Sequence, residues 1–283
     1  MVKFHQQPRS TNKKTWIILL ASLCFFMACE VNFLGLLVSP DLNKRLREAD
    51  NFRFLTHDDL NTDFGEEFSF IVVADTHIHN GNTYGFERLK YVIAGDDTIR
   101  FVVVLGDITQ TGSCSELERF LEIAASFGIP CYPVIGNHDF YHGNWPIWRD
   151  LIGSTRYRVN GNGTSLFILD SANGFFGKEQ LDWLDRELRT VSGRVFVFTH
   201  INIFGNNSGI YRFAQFIDYR ERAWLLSILR GRCDFMFMGH VHQTFMVEAG
   251  GVNFLAIGHF RRDGVYALVS VTREGVTYRI EQL

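Results

Sequence analysis

The sequence has little of what holds small secreted domains together. It contains five cysteines and five prolines in 283 residues, and no two cysteines form a Cys-x-x-Cys pair. A zinc site made of thiolates is therefore disfavoured. Cys114, Cys131 and Cys233 lie far apart in the sequence, and we expect them to be small buried residues. A disulfide between Cys114 and Cys131 is the alternative, because disulfide pairing cannot be deduced from sequence.

Strong charge of either sign is also absent. The formal net charge is −3, and the chain has no long run of basic residues. A nucleic-acid partner that binds through a basic surface is therefore not expected. With 46% hydrophobic and 21% charged residues, the composition is that of an ordinary globular protein. A chain of this length can bury a large core.

The N-terminus has the layout of a targeting segment. A basic leader, residues 1–15, precedes an uninterrupted apolar run at residues 16–28, and Cys29 follows directly. The run is shorter than the ~20 residues needed to cross a bilayer. We predict that residues 1–39 tether the protein to a membrane, and the segment resembles a bacterial lipoprotein signal with Cys29 as the lipidated residue. An uncleaved anchor extending to Val38 is the alternative. Both place the rest of the chain outside the cytoplasm, because basic flanks stay inside.

The remainder is predicted to be a linker followed by one domain. Residues 40–66 are predicted to form a polar connector in which a short helix follows Pro40. Residues 67–283 are predicted to form a single domain, because the sequence shows neither an internal repeat nor a second boundary.

From Phe68 onward, short apolar strands alternate with amphipathic helices, which indicates an α/β fold. From Thr244 to the C-terminus the pattern changes to four strands joined by glycine-containing turns, which predicts a β-meander without helices. Together these patterns predict two packed mixed β-sheets flanked by helices. The predicted strands of the alternating part are Phe68–Ala74, Phe101–Leu105, Cys131–Ile135, Ser165–Leu169, Arg194–Thr199 and Asp234–Met238.

Asp, Asn or His side chains follow five of the predicted strands, at the point where each strand ends. Functional groups of α/β sheets collect just beyond the carboxyl ends of the strands. Imidazole and carboxylate groups without thiolates suit Mn, Fe, Zn, Co or Ni, and one carboxylate can bridge two cations because it has two oxygens. The five segments are Asp75-Thr-His77, Gly106-Asp107, Gly136-Asn137-His138-Asp139, His200 and Gly239-His240-Val-His242.

In this order, the five segments resemble the signature of calcineurin-like metallophosphoesterases. The resemblance extends from Asp75 to His242 and, with the flanking strands, covers most of residues 68–283. It implies a four-layer fold of helices around two sheets, and hydrolysis of a small phosphoester substrate. It also implies two divalent or trivalent metal ions as cofactors.

Carried over residue by residue, the resemblance implies seven metal ligands. The first ion would be held by Asp75, His77, Asp107 and His242. The second would be held by Asp107, Asn137, His200 and His240, so that Asp107 bridges the two.

The resemblance also implies roles for three residues of the third segment. Asn137 and His138 would contact the substrate, and His138 would protonate the departing oxygen as general acid. Asp139 would orient His138. The nucleophile would be a hydroxide that bridges the two ions, whose charge lowers the pKa of water.

Two departures from the family patterns indicate which branch of the family the chain is most similar to. Gln110 stands where purple acid phosphatases carry a tyrosine. The stretch from Gly106 to Gly112 lacks the arginine that protein phosphatases of the family use to hold phosphate. The chain is more similar to the phosphodiesterase branch, and we expect diesters to be favoured. The alternatives are a monoesterase, a lipid phosphoesterase, or a catalytically inactive metal-binding surface protein.

Overall fold

Two β-sheets form the centre of the structure, a computed structural model that describes residues 41–49, 51–204 and 218–283. The described residues belong to one unit that begins at residue 35. Its strands are β1 (Phe68–Val73), β2 (Ile99–Leu105), β3 (Cys131–Val134), β4 (Tyr157–Gly161), β5 (Thr164–Ile168), β6 (Arg194–Phe198), β7 (Phe235–Met238), β8 (Phe245–Ala249), β9 (Val252–Ala256), β10 (Val265–Val271) and β11 (Val276–Gln282).

Both sheets are mixed, as predicted. The first has the order β11-β10-β1-β2-β3, and the second has the order β4-β5-β6-β7-β9-β8. In the first sheet β1, β2 and β3 are parallel, while β10 runs antiparallel to β1. In the second sheet β5, β6, β7 and β9 are parallel, and antiparallel strands β4 and β8 close its two edges.

Helices pack around the two sheets. They are α1 (Leu42–Glu48), α2 (His57–Leu60), α3 (Tyr84–Ala94), α4 (Cys114–Ala125), α5 (Trp145–Leu151), α6 (Lys178–Leu188), α7 (Tyr219–Leu229) and α8 (Phe260–Asp263), with a 3₁₀ segment at His138–Gly143. None of the described helices is long and apolar enough to span a membrane.

Three apolar layers hold the sheets and helices together, and strand alternation assigns residues to them. Ile71 and Val73 face the helices that cover the first sheet, whereas Phe70 and Val72 face the second sheet. The layer between the sheets is rich in phenylalanine; the rings of Phe70 and Phe101, for example, stack with centroids 4.7 Å apart. A third layer packs the second sheet against α6 and α7. The predicted four-layer α/β sandwich is therefore confirmed.

The C-terminal strands do not form the predicted meander. The hairpin β8–β9 completes the second sheet, whereas β10 and β11 complete the first. The short helix α8 lies between the two hairpins. The meander prediction was wrong because turn signals show which strands are consecutive but not which sheet accepts them.

Residues 41–66, which we expected to be a polar connector, pack against the domain. Leu42, Arg45 and Phe64 are fully buried. The guanidinium of Arg45 donates to both carboxylate oxygens of Asp170, at 2.8 and 2.7 Å. The helix after Pro40 exists as predicted, but it is a structural part of the unit that carries the site.

The structure also tests the predictions made for the cysteines. Cys114, Cys131 and Cys233 are free thiols. Cys131 and Cys233 are buried as expected, but the expectation was wrong for Cys114, which is exposed. The disulfide alternative is therefore not realised.

The N-terminal segment with Cys29 lies outside the described residues, so its tethering role and the boundary at residue 39 stay predictions.

Candidate active site

The predicted ligands meet at the carboxyl ends of β1, β2, β3, β6 and β7. The loops after β1 and β2 are joined by a hydrogen bond from the His77 amide to the Asp107 carbonyl, 2.8 Å long. The loop after β3 joins them, since the amide of His138 donates to Oδ1 of Asp107 at 2.8 Å. The loop after β7 reaches β1, because the amide of His240 donates to Oδ2 of Asp75 at 3.0 Å. Adjacent strand ends thus bring distant segments of the chain to one place.

Backbone strain is concentrated at the predicted ligands. Seven described residues other than glycine have a positive φ, and five of them are predicted ligands. Such conformations cost on the order of 1–3 kcal/mol each and persist where the surrounding structure enforces them, most often at functional sites. These five are Asp75 (φ 56°), His77 (40°), Asp107 (46°), His240 (71°) and His242 (54°).

Two glycines of the predicted motifs are required by close contacts within the site. Gly106 has a φ of 78°, and a Cβ there would lie 2.7 Å from the ring of His200. A Cβ on Gly136 would lie 2.0 Å from the backbone nitrogen of Asp107. Side chains at these positions would push apart the loops that carry the ligands.

The first group of ligands surrounds Asp75 and His77. Nε2 of His242 lies 3.3 Å from Oδ1 of Asp75, and Nε2 of His77 lies 3.9 Å from Oδ2 of Asp107. Both ring nitrogens of the fully buried His77 lack a hydrogen-bond partner, as does Oδ1 of Asp75. Buried polar atoms are almost always satisfied. Imidazole nitrogens and carboxylate oxygens left in this way fit a metal ion that would accept their lone pairs.

The second group of ligands surrounds His200. Its Nδ1 donates to the carbonyl of Leu105 at 2.7 Å, so the lone pair of the neutral ring is on Nε2. That Nε2 lies 3.1 Å from Oδ1 of Asn137, 3.2 Å from Nδ1 of His240 and 3.3 Å from Oδ1 of Asp107.

Asn137 presents its oxygen because its amide nitrogen donates to the hydroxyl of Tyr141 at 2.7 Å. Four potential ligand atoms thus converge on the second group.

Asp107 belongs to both groups. One possible metal-binding cluster contains Asp107 with His77 and His138, and another contains Asp107 with His200 and His240. The carboxylate is almost fully buried, and its two oxygens point to different groups. Asp107 is therefore the residue that the two clusters share, and its bridging role stays a prediction.

Burial and mutual charge set the protonation of the site. Burial lowers the pKa of His77 to about 3, although Asp107 opposes the shift. Burial and the neighbouring His200 lower the pKa of His240 to about 4. These two rings are therefore neutral at pH 7, as metal binding requires. Burial also disfavours the charged form of His200, but Asp107 outweighs it and raises the pKa of His200 to about 9.

His138 is held by Gln110. Nδ1 of its ring lies 2.8 Å from the carbonyl of Gln110, and Nε2 lies 3.9 Å from Oδ2 of Asp107. The carbonyl can only accept, so Nδ1 carries a proton and Nε2 faces the site. The ring is buried beside that of His77, with centroids 4.6 Å apart.

The contacts of Asp139 differ from the orienting role toward His138 that was predicted for it. Its carboxylate accepts hydrogen bonds from the amide of Thr109 at 2.8 Å, from the hydroxyl of Thr109 at 2.9 Å and from the amide of Gly136 at 2.8 Å. Asp139 therefore ties the loop after β2 to the loop after β3 and does not orient His138. Burial and the charge of Asp107 raise the pKa of Asp139 to about 7.

His259 lies in the site, although the sequence offered no motif for it. Its ring is buried 4.3 Å from the ring of His242, and one of its nitrogens clusters with those of His77 and His242. Nδ1 of His259 accepts the amide of Arg262 at 3.3 Å, as the N-cap of α8. With Nδ1 accepting, the neutral ring carries its proton on Nε2, which makes it a donor rather than a metal ligand.

The family model for calcineurin-like phosphoesterases matches residues 68–244, more than half of the chain. The chain belongs to the calcineurin-like phosphoesterase family. The match includes all seven predicted metal ligands and His138. The family resemblance seen in the sequence is thereby confirmed, and the site carries candidate His and Asp groups for the divalent metals that the family uses.

Two curated relatives show which members of the calcineurin-like phosphoesterases this chain is similar to. A probable cyclic nucleotide phosphodiesterase of Fibrobacter succinogenes is 29% identical over 153 residues, which cover 52% of this chain and 59% of the relative. The 3′,5′-cyclic adenosine monophosphate phosphodiesterase CpdA of Escherichia coli is 27% identical over 166 residues, 55% of this chain and 58% of the relative. The matches span less than two thirds of either relative.

A solved structure shows the same fold. A dimetal phosphatase from Danio rerio superposes with a TM-score of 0.56 at 17% identity, covering 75% of this chain and 95% of that one. At this identity the likeness concerns the fold of the phosphoesterase domain alone.

Proposed function

We propose that the chain hydrolyses phosphoesters, with diesters favoured, using two metal ions held in one site. The observation that supports this most is the position of Asp107, whose buried carboxylate faces His77 on one side and His200 on the other. Asp75, His77, Asp107 and His242 would hold the first ion. Asp107, Asn137, His200 and His240 would hold the second.

The residues of the site would have different roles in such a reaction. Two bound cations would supply a water of lowered pKa as nucleophile and would neutralise charge on the phosphate. Asn137 is positioned by Tyr141 to direct its oxygen into the site. Gly106 and Gly136 allow the loops to approach closely enough for Asp107 to reach both groups.

His138 is proposed to be the general acid that protonates the departing oxygen. In its protonated form the ring keeps its Nδ1 proton on the carbonyl of Gln110, so the proton on Nε2 is the one directed into the site. The carboxylate of Asp107 lies 3.9 Å from this Nε2. A positioned general acid contributes roughly 10²–10⁴-fold to the rate.

Diesters are favoured because both curated relatives bear the name of cyclic nucleotide phosphodiesterases. A cyclic nucleotide is a diester whose departing group is a poor alkoxide, so it depends on a general acid. Gln110 in place of the tyrosine of purple acid phosphatases also fits this branch.

The test compares His138→Ala with His57→Ala after reconstitution with Mn²⁺ or Zn²⁺. His57 is a matched control, because its side chain is 88% exposed and lies on α2, away from the candidate ligands. We expect His138→Ala to keep both metal ions, to lose activity strongly on a 3′,5′-cyclic nucleotide, and to lose less on bis(p-nitrophenyl) phosphate, whose leaving group needs little protonation.

Two results would count against these proposals. Equal losses on the two substrates would remove His138 from the general-acid role. Wild-type protein that contains two metal ions but hydrolyses neither substrate would refute the proposed reaction.

We further propose that residues 1–39 tether the domain to the outer face of a membrane, through a lipid on Cys29. Cys29→Ala is then expected to leave the chain uncleaved. Mass spectrometry that finds an intact Met1 in the wild-type membrane fraction would favour an uncleaved anchor instead.

A further inference from the structure

The loop between β9 and β10, residues 257–264, is held beside Asp75, the first predicted metal ligand. His259 forms a parallel bridge with Ala74, and the amide of Phe260 donates to the carbonyl of Ala74 at 3.0 Å. Phe260 is 2% exposed, and its ring packs 5.1 Å from that of Phe86 in the core. The residues on either side of this anchor, His259 and Arg261, are therefore held at the edge of the site.

Arg261 extends from this loop toward the proposed general acid. Its amide lies 3.4 Å from the carbonyl of Asp75, and its Nη1 donates to Oε1 of Gln110 at 2.9 Å. The carbonyl of the same Gln110 holds Nδ1 of His138. A single residue thus separates the guanidinium of Arg261 from His138.

The five motif segments offer no fixed positive charge of their own, since they contain neither Lys nor Arg. A phosphoester is an anion, and arginine is well suited to bind it because its planar guanidinium presents two parallel donors. The hydrogen bond from Arg261 to Gln110 joins a charged group to a neutral amide on the exposed surface. Such a bond contributes little in water and can be exchanged for a charged oxygen.

The neighbouring Arg262 does not share this environment. Its Nε and Nη2 donate to the two carboxylate oxygens of Asp263 at 2.9 and 2.8 Å. The two adjacent arginines therefore differ in partner: Arg261 reaches the site, and Arg262 is paired with a carboxylate.

We propose that Arg261 is a substrate-binding residue that contacts a phosphate oxygen on the side of the site occupied by His138. The inference rests on the proposed phosphoester hydrolysis. Arg261 would replace, from a different loop, the phosphate-holding arginine that is missing between Gly106 and Gly112.

The experiment compares Arg261→Gln, Arg261→Lys and Arg262→Gln in the metal-loaded full-length protein. Binding of inorganic phosphate is measured by isothermal titration calorimetry, and KM and kcat are measured with bis(p-nitrophenyl) phosphate. We expect Arg261→Gln to raise the Kd for phosphate and the KM for the diester roughly ten- to hundredfold, the usual effect of losing a hydrogen bond to a charged group. Arg261→Lys is expected to be intermediate, because it keeps the charge but not the paired donors. Arg262→Gln is expected to match the wild type.

The outcomes separate this inference from the proposed function. If Arg261→Gln binds phosphate as tightly as Arg262→Gln does, the inference is overturned, even where the wild type hydrolyses the diester. If the wild type binds phosphate in an Arg261-dependent way but hydrolyses no ester, phosphate binding by Arg261 is supported and the proposed reaction fails. Because Arg261 is exposed, its replacement is compatible with normal folding, which circular dichroism checks.

Discussion

Replacement of Arg45 by methionine tests how far the domain depends on residues before the first strand. Arg45 is fully buried, donates to both oxygens of Asp170, contacts Asn173 and lies 4.4 Å above the ring of Phe140. Methionine fills part of the same space without the charge. The carboxylate of Asp170, which is also fully buried, then loses its cation.

The size of the effect follows from this loss. Breaking a buried ion pair by removing one partner costs about 3–5 kcal/mol, because the remaining charge stays buried. For a domain of this size each kcal/mol lowers the melting temperature by about 2–4 °C, so Arg45→Met is expected to melt roughly 6–20 °C below wild type. Lys44→Met is the matched control. Lys44 is half exposed and forms only a surface pair with Glu48, for which a change of ~0–1 kcal/mol is expected.

Urea denaturation followed by circular dichroism gives the free energy of unfolding for each variant. The double variant Arg45→Met with Asp170→Leu should recover most of the lost stability, since an apolar pair of similar volume often replaces a buried ion pair without cost. A free energy for Arg45→Met within 1 kcal/mol of that for Lys44→Met would refute the reasoning.

The ion pair between Arg45 and Asp170 also determines how many N-terminal residues can be removed without loss of stability. A truncation that begins near residue 60 removes α1 and leaves Asp170 buried without Arg45. It also removes Glu48, whose carboxylate accepts the indole proton of Trp145 at 2.7 Å. A truncation that begins at residue 41 keeps both contacts and is expected to retain wild-type stability.

Three further predictions concern the site. Gly136→Ala should destabilise the fold by at least ~1–3 kcal/mol, the usual cost of overpacking, because the new Cβ would lie 2.0 Å from the backbone of Asp107. It should also lower the metal content. Urea denaturation and elemental analysis measure the two effects, and a wild-type result for either would contradict the prediction. Asp139→Asn should lose ~1–3 kcal/mol while keeping the metals and an unchanged pH–rate profile, since its amide faces donors on Thr109 and Gly136; an altered profile would restore a direct catalytic role. Chelation should lower the melting temperature by roughly 5–10 °C for each ion removed, relative to protein held at a hundred times the metal Kd, because each bound ion then contributes about 2.7 kcal/mol. Calorimetry showing no shift would mean that the unpartnered nitrogens of His77 hold no metal.

The sequence predicted the central strands and the grouping of the five polar segments well because both leave local signals. Apolar runs of four or five residues mark β1, β2 and β7, and polar side chains stand within two residues of their ends. Carboxyl ends of neighbouring parallel strands lie together, so a linear pattern was sufficient to predict that Asp75 and Asp107 would meet.

The sequence did not predict the burial of helix α1, strand β4 or the position of His259. Helix α1 itself was predicted, but its residues Lys44, Arg45 and Arg47 are typical of a solvated surface. The burial of Arg45 depends on its ion pair with Asp170, 125 residues away. Strand β4 ends in a glycine, Gly161, and part of it is exposed, so its apolar alternation is weak. His259 has no motif around it, and the Ala74 bridge alone brings it to the site.

The pairing of β1 with β10 determines when the site can be assembled during synthesis. Ser69 faces Ser270 across these strands, 201 residues apart, and their hydroxyls lie 3.1 Å from each other. Strand β1, which leads into Asp75, therefore remains an unpaired edge on one side until β10 has left the ribosome. Contacts this distant in sequence slow folding, because the chain entropy is lost before the contact forms. The candidate site is thus completed only after β10 has been made, and a chain that loses β10 and β11 would expose an apolar edge prone to aggregation.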